Sequence, residues 1–84
     1  MIELYQAEDC PYCEKVREKL MELGVSYINH NPRTAGGATR NQQTLEEMET
    51  LGGQDQIPFL VDHQHGVELY ESDDIIEHLE GHYA

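Results

Sequence analysis

Basic residues are scarce in this chain: 5 lysines and arginines stand against 17 aspartates and glutamates among 84 residues, a formal charge of −12. Nucleic acid and anionic membrane surfaces are bound through Lys/Arg patches, so this balance argues against both as partners. Such a charge also strains a compact state by self-repulsion unless salt screens it, which points to a high-salt cytoplasm. Long apolar runs are missing too. The longest, Ile57 to Val61 as IPFLV, is far short of the roughly 20 residues that span a bilayer. The chain enters a strand-like MIELY at once, with no secretory segment before it. The expectation is a soluble, cytoplasmic monomer. Internal repeats and long linkers are absent, so residues 1–84 read as one small domain.

Cysteine is also rare, and the two that exist, Cys10 and Cys13, stand together in EDCPYCEKVR. A pair at this spacing can hold a metal, form a structural staple or cycle between dithiol and disulfide. A staple gains little here, because a disulfide closing so short a loop removes little entropy from the unfolded chain. In a reducing compartment a lone CxxC is more often catalytic or metal-binding. His78 and His82 nominally complete a Cys2His2 set. The two pairs lie at opposite ends of the chain, however, rather than about 12–15 residues apart. Those histidines, with His63 and His65, read as solvated side chains, and no metal site is expected.

The periodicity places the pair. MIELYQ alternates apolar and polar residues, with Ile2, Leu4 and Gln6 on one side, and reads as a strand. Cys13, Val16, Leu20 and Leu23 then recur at the spacing of one helical face, and Gly24 ends that helix. VSYIN offers a second strand, which the helical crossover makes parallel to the first. Residues 30–39 carry turn chemistry. A second helix follows with Leu45, Met48 and Leu51 inward, a capping box from Thr39 to Gln42, and Gly52–Gly53 at its end. IPFLVD and VELY form a hairpin around DHQHG. Ser72 caps a last helix, SDDIIEHLEGH, whose Ile75, Ile76 and Leu79 face inward. The order is βαβαββα, an α/β fold.

In that layout Pro11 takes the first helical position and Cys10 faces the helix N-terminus, where unpaired N–H groups and the aligned peptide dipoles favour a thiolate. Cys13, one turn in, is the shielded member. An exposed, activated sulfur beside a shielded one suits thiol exchange. Glu8, Asp9 and Glu14 oppose the negative sulfur, and Lys15 is the nearest basic neighbour.

CPYC at the start of the first helix, Ile57-Pro58 before the third strand and SDD at the start of the last helix together resemble a glutaredoxin of the thioredoxin fold. The likeness covers essentially the whole chain. It implies a four-stranded mixed sheet and a cis bond before Pro58, which leaves the main chain of Ile57 free to pair with a substrate's cysteinyl backbone. The stretch IPFLVD through LYESDDIIEHL also resembles the glutathione-binding end of glutathione transferase N-terminal domains, whose Glu/Gln-Ser pair is matched by Glu71-Ser72. The chain ends at Ala84, without the helical second domain on which the transferases depend.

The resemblance implies an enzyme, a dithiol thiol-disulfide oxidoreductase with Cys10 as nucleophile and Cys13 as resolving thiol. Tyr12, Ile57, Pro58, Glu71, Ser72 and Asp73 would bind the small thiol. No bound cofactor is needed; glutathione or γ-glutamylcysteine is the reducing co-substrate, and oxidised or thiolated proteins are the partners. Many glutaredoxins place basic side chains ahead of the first cysteine and of the cis-proline, toward the glycine carboxylate of glutathione. Here those regions read QAED and GGQDQ, so γ-glutamylcysteine is expected to serve about as well. Arg33 or Arg40 could restore the charge if the fold brings either to the cleft. Other readings are a small-thiol-binding or iron–sulfur-cluster carrier module, and an electron donor fed by a thioredoxin-type reductase.

Overall fold

The computed structural model describes residues 1–84. Its elements are β1 (Ile2–Tyr5), α1 (Pro11–Leu23), β2 (Ile28–His30), α2 (Gln42–Gly52), β3 (Phe59–Asp62), β4 (Val67–Tyr70) and α3 (Ser72–Tyr83). The expected βαβαββα order holds. The strands form one sheet in the order β2-β1-β3-β4. β1 and β2 are parallel, while β1/β3 and β3/β4 are antiparallel, giving the mixed four-stranded sheet. No helix is long and apolar enough to cross a membrane.

Both faces of the sheet are covered. On one side Ile2, Leu4 and Leu60 pack against Val16 and Leu20 of α1 and Ile75 and Leu79 of α3. On the other, Tyr5, Phe59 and Val61 meet Leu45 and Met48 of α2. Alternation in MIELYQ therefore marks two cores rather than a wet and a dry face, and Tyr5 is as fully buried as Leu4. Gln6 is buried at the end of β1 because Asn31 and Arg17 satisfy its amide.

Several local expectations need correction. The second strand is only Ile28–His30, not Val25–Asn29: Val25 instead donates its N–H to Leu20 O at 2.9 Å, closing the end of α1. Helix α2 is capped by Asn41, whose side chain accepts the Thr44 N–H at 3.0 Å, and not by a Thr39–Gln42 box. Leu51 is exposed, since α2 turns only Leu45 and Met48 inward. Ser72 is the first helical residue of α3; the capping position is Glu71, with a left-handed φ of 67° and no side-chain cap bond. Gly24 does end α1 in the left-handed conformation, φ 68°, its N–H returning to Leu20 and Met21 carbonyls.

Candidate functional site

Cys10 is the N-cap of α1 and Pro11 its first residue. The extended backbone of Cys10 turns its Sγ back over the helix end, where it accepts the N–H of Cys13 at 3.3 Å. That is one of the donors an α-helix leaves unpaired at its start. Both cysteines are free thiols. Together with Ala7 they form a small apolar cluster on which Ile57 packs. Cys10 is not the exposed sulfur the spacing suggests: it retains 5% exposure and Cys13 none. Burial, followed by the contact with Cys10, pushes the Cys13 thiol up to about 12, against a lowering influence from the Ala7 backbone and the Arg17 guanidinium.

The charges around the pair are also arranged differently from the sequence expectation. Lys15 reaches away to Asp73 at 3.4 Å. The cation beside the cysteines is Arg17, which donates to the Ala7 carbonyl at 3.2 Å and pairs with Glu8 at 3.7 Å. Asp9 accepts the Ala35 N–H at 3.0 Å. Two of the three nearby carboxylates therefore have partners.

A cleft of 350 Å³ opens next to this cluster, lined by Tyr12, Gln56, Ile57, Pro58, Glu71, Ser72 and Asp73. All six residues expected to bind a small thiol are in it, and Gln56 joins them. Tyr12 is largely exposed, at 63%, on one wall. The Ile57-Pro58 bond is cis. Ile57 lies outside the strands and its N–H and carbonyl have no backbone partner in the chain. The opposite wall is the start of α3. Its first free backbone donors belong to Ser72, Asp73 and Asp74, because the first intrahelical bond runs from Ile75 N–H to Glu71 O at 3.0 Å. Gln56 spans the rim to Glu71 Oε1 at 2.8 Å. Glu71 is the one non-glycine residue with positive φ, a conformation that costs about 1–3 kcal/mol and tends to persist at ligand clamps. Such a wall suits a carboxylate, with Glu71 and Asp73 placed for a neighbouring ammonium.

Arg33 and Arg40 do not line this cleft. They flank a separate recess with Ala7, Glu8, Asp9, Asn31 and Thr34, and Arg33 is paired with Asp55 at 2.7 Å. Of the four histidines expected to be solvated, His63 and His82 are indeed exposed, but all four also have carboxylate or backbone partners. His63 meets Glu3, His65 and His78 meet Asp62, and His82 meets the His78 carbonyl. No sequence signal tied Asp62 to them, since its partners come from a turn and a distant helix.

A family model for the glutathione S-transferase N-terminal domain matches residues 4–84. No curated protein sequence matches the chain. Among solved structures, a diazinon-metabolizing glutathione S-transferase of the silkworm Bombyx mori is 26% identical, with a TM-score of 0.77 over 99% of this chain and 38% of that one. Glutathione transferase E6 of Drosophila melanogaster is 26% identical, with a TM-score of 0.76 over 100% of this chain and 36% of that one. An epsilon-class glutathione S-transferase of the housefly Musca domestica, 18% identical over 99% of this chain and 35% of that one, shares the fold at a TM-score of 0.78. The chain thus spans less than two fifths of the length of these structures. Its thioredoxin-like fold and its match over residues 4–84 place it in the glutathione S-transferase N-terminal domain family.

Proposed function

We propose that this chain is a glutaredoxin-type thiol-disulfide oxidoreductase that reduces glutathione-type mixed disulfides and protein disulfides. One observation carries the reading: Cys10 Sγ accepts a helix-terminal N–H at 3.3 Å beside a cleft whose far wall presents the unpaired donors of α3. Membership of a glutathione-binding family supports the same substrate class.

The Cys10 thiolate attacks the sulfur of a mixed disulfide RS–SG. A Cys10–SG bond forms, the S–S bond breaks, and RS⁻ leaves to take a proton from water. A second glutathione thiolate then attacks the bound glutathionyl sulfur, releasing GSSG and restoring Cys10. On a protein disulfide, Cys13 attacks Cys10 Sγ instead, expelling the second protein thiol and leaving a Cys10–Cys13 disulfide for two glutathione molecules to reduce. The free N–H and carbonyl of Ile57 pair with the substrate's cysteinyl backbone as an added strand would. The α3 terminus takes the γ-glutamyl carboxylate, and Glu71 or Asp73 its ammonium.

Turnover of a glutathione mixed disulfide and of a protein disulfide by wild type, Cys10→Ser and Cys13→Ser tests this. Cys10→Ser should lose both activities, while Cys13→Ser should keep the first within about threefold and lose the second. An active Cys10→Ser protein would overturn the reading. The cleft carries no cation of its own for a glycine carboxylate, Lys15 being engaged with Asp73. An exposed contact of that kind changes binding by about 1 kcal/mol, roughly fivefold. Rates on γ-glutamylcysteine and glutathione mixed disulfides should therefore agree within about fivefold; a tenfold preference for glutathione would reveal a glycine-carboxylate site elsewhere. Family membership favours one second reading, the glutathione-binding part of a conjugating enzyme. Addition of glutathione to an electrophile by a preparation inactive on disulfides would select it.

A further inference from the structure

His78 and His82 stand one turn apart on α3, and His65 lies in the turn between β3 and β4. The fold gathers all three around Asp62, the last residue of β3, at the opposite end of that strand from Pro58. Asp62 is fully buried. Its Oδ2 lies 2.7 Å from His65 Nδ1, 2.8 Å from His78 Nε2 and 2.9 Å from Tyr83 Oη. Its Oδ1 accepts the backbone N–H groups of Gln64 and His65 at 3.1 and 3.3 Å. The His82 ring packs with its centroid 4.4 Å from those of both His65 and His78.

We propose that Asp62, His65, His78 and His82 form a site for one divalent transition-metal ion of the zinc type, independent of the cysteine pair. Donor atoms of Asp62, His65 and His78 all lie within 4.8 Å of one another. Ligands at about 2.0–2.1 Å from a tetrahedral ion are roughly 3.3 Å apart, so donors now in hydrogen-bond contact need to spread by only about half an ångström. Two histidines at i and i+4 on one helix face are a recurrent zinc-binding arrangement. Three imidazoles and one carboxylate suit zinc, copper or nickel rather than magnesium or calcium.

The outer contacts suit the same role. Two backbone donors fix the Asp62 carboxylate, and the His78 carbonyl accepts Nδ1–H of His82 at 2.9 Å, leaving the lone pair on His82 Nε2. The ion replaces the hydrogens now directed at Oδ2. In each neutral ring that proton moves by exchange with water to the other nitrogen, Nε2 of His65 and Nδ1 of His78, so the rings bind as the opposite tautomers without net proton release. Entry is open on the His82 side, where a recess of 510 Å³ beside His78 and His82 carries Asp74 and Glu77. Their charge concentrates cations at its mouth.

A Cys10→Ser/Cys13→Ser chain, in which no thiol can bind metal, is titrated with Zn²⁺ by calorimetry and with Co²⁺ by visible absorption. One ion per chain is expected, with a thermal midpoint several degrees higher at a hundredfold excess over Kd. Cobalt should show tetrahedral bands without thiolate charge transfer, and the wild-type chain the same bands. His82 is exposed, so His82→Ala keeps the fold and should weaken Zn²⁺ binding at least tenfold. His63→Ala, at a side chain paired with Glu3, should change it less than twofold. Absence of stoichiometric binding, or equal affinity in His82→Ala and its parent, overturns the proposal.

Discussion

At the scale of single residues, Cys13 and Asp62 show how burial sets chemistry. The Cys13 thiol, pushed up to about 12 by burial and by Cys10, keeps its proton at neutral pH. Only its thiolate can attack the Cys10 sulfur. Below about 12 the thiolate fraction grows tenfold per pH unit. Release of the substrate thiol from a preformed Cys10–substrate mixed disulfide, followed in a single turnover without glutathione, should therefore quicken steeply from pH 7 to 9. A rate that is flat over that range would show that Cys13 does not resolve. At Asp62 burial pushes the carboxyl up, but hydrogen bonds from His78, His65 and Tyr83 outweigh it and hold the group well below the usual carboxylate range. A depressed folded-state value means that the unfolded chain takes up the proton first. Its stabilisation is thus complete above about pH 4 and is lost as pH falls further. Asp62→Asn should cost about 3 kcal/mol at pH 7, and the gap to wild type should narrow below pH 4 in denaturant titrations. A gap that is constant from pH 7 to 3 would contradict the ionised, hydrogen-bonded carboxylate.

At the scale of elements, the end of α2 fixes the approach to the cleft. A Cβ on Gly52 would lie 2.2 Å from Tyr70 Oη and 2.6 Å from its Cζ. That ring cannot move aside cheaply. It stacks on Phe59 at 4.5 Å, and its hydroxyl donates to Gln54 O at 2.8 Å and accepts Gln54 N–H at 3.1 Å. Those bonds tie β4 to the segment leading into Ile57-Pro58. Gly52→Ala gains up to about 1 kcal/mol of helix propensity and loses about 1–3 kcal/mol to overpacking. A net destabilisation of about 1 kcal/mol is expected, relieved when Tyr70→Leu is added. If Gly52→Ala is more stable than wild type by thermal melting, Tyr70 is not held as the structure places it.

The whole molecule is governed by its charge. Four of the five basic residues are in ion pairs with carboxylates: Lys15 with Asp73, Arg17 with Glu8, Lys19 with Glu22 and Glu80, and Arg33 with Asp55. Arg40 has no such partner. Local pairing is thus nearly exhausted, and the remaining negative charge is spread over a body of 34 × 24 × 19 Å. At 0.01 M salt the screening length of about 30 Å spans that body, whereas at 1 M it is about 3 Å. The thermal midpoint should rise by about 5–10 °C from 0.01 to 1 M NaCl, since a domain of this size gains about 4–8 °C per kcal/mol. A midpoint that falls over that range would mean that the surface ion pairs, which salt weakens, outweigh the general repulsion.

The sequence by itself determined the element order, the parallel β1/β2 pair and the β3/β4 hairpin, because these follow from local periodicity, turn residues and the length of a crossover. It also determined Cys10 at the head of α1, since Pro11 fits only the first helical turn. The grouping of Tyr12, Ile57, Pro58, Glu71, Ser72 and Asp73 was legible through family resemblance rather than through periodicity. Tertiary structure alone decided three things. It buried Cys10, because Ile57 from a distant segment packs on it. It gave Arg17, not Lys15, to the cysteine pocket, because helix rotation and the Asp73 carboxylate draw Lys15 outward. And it gave hydrogen-bond partners to four histidines that read as merely solvated, joining three around Asp62. Burial and electrostatic partnership depend on which segments meet across the sheet, and a local pattern carries no record of that meeting.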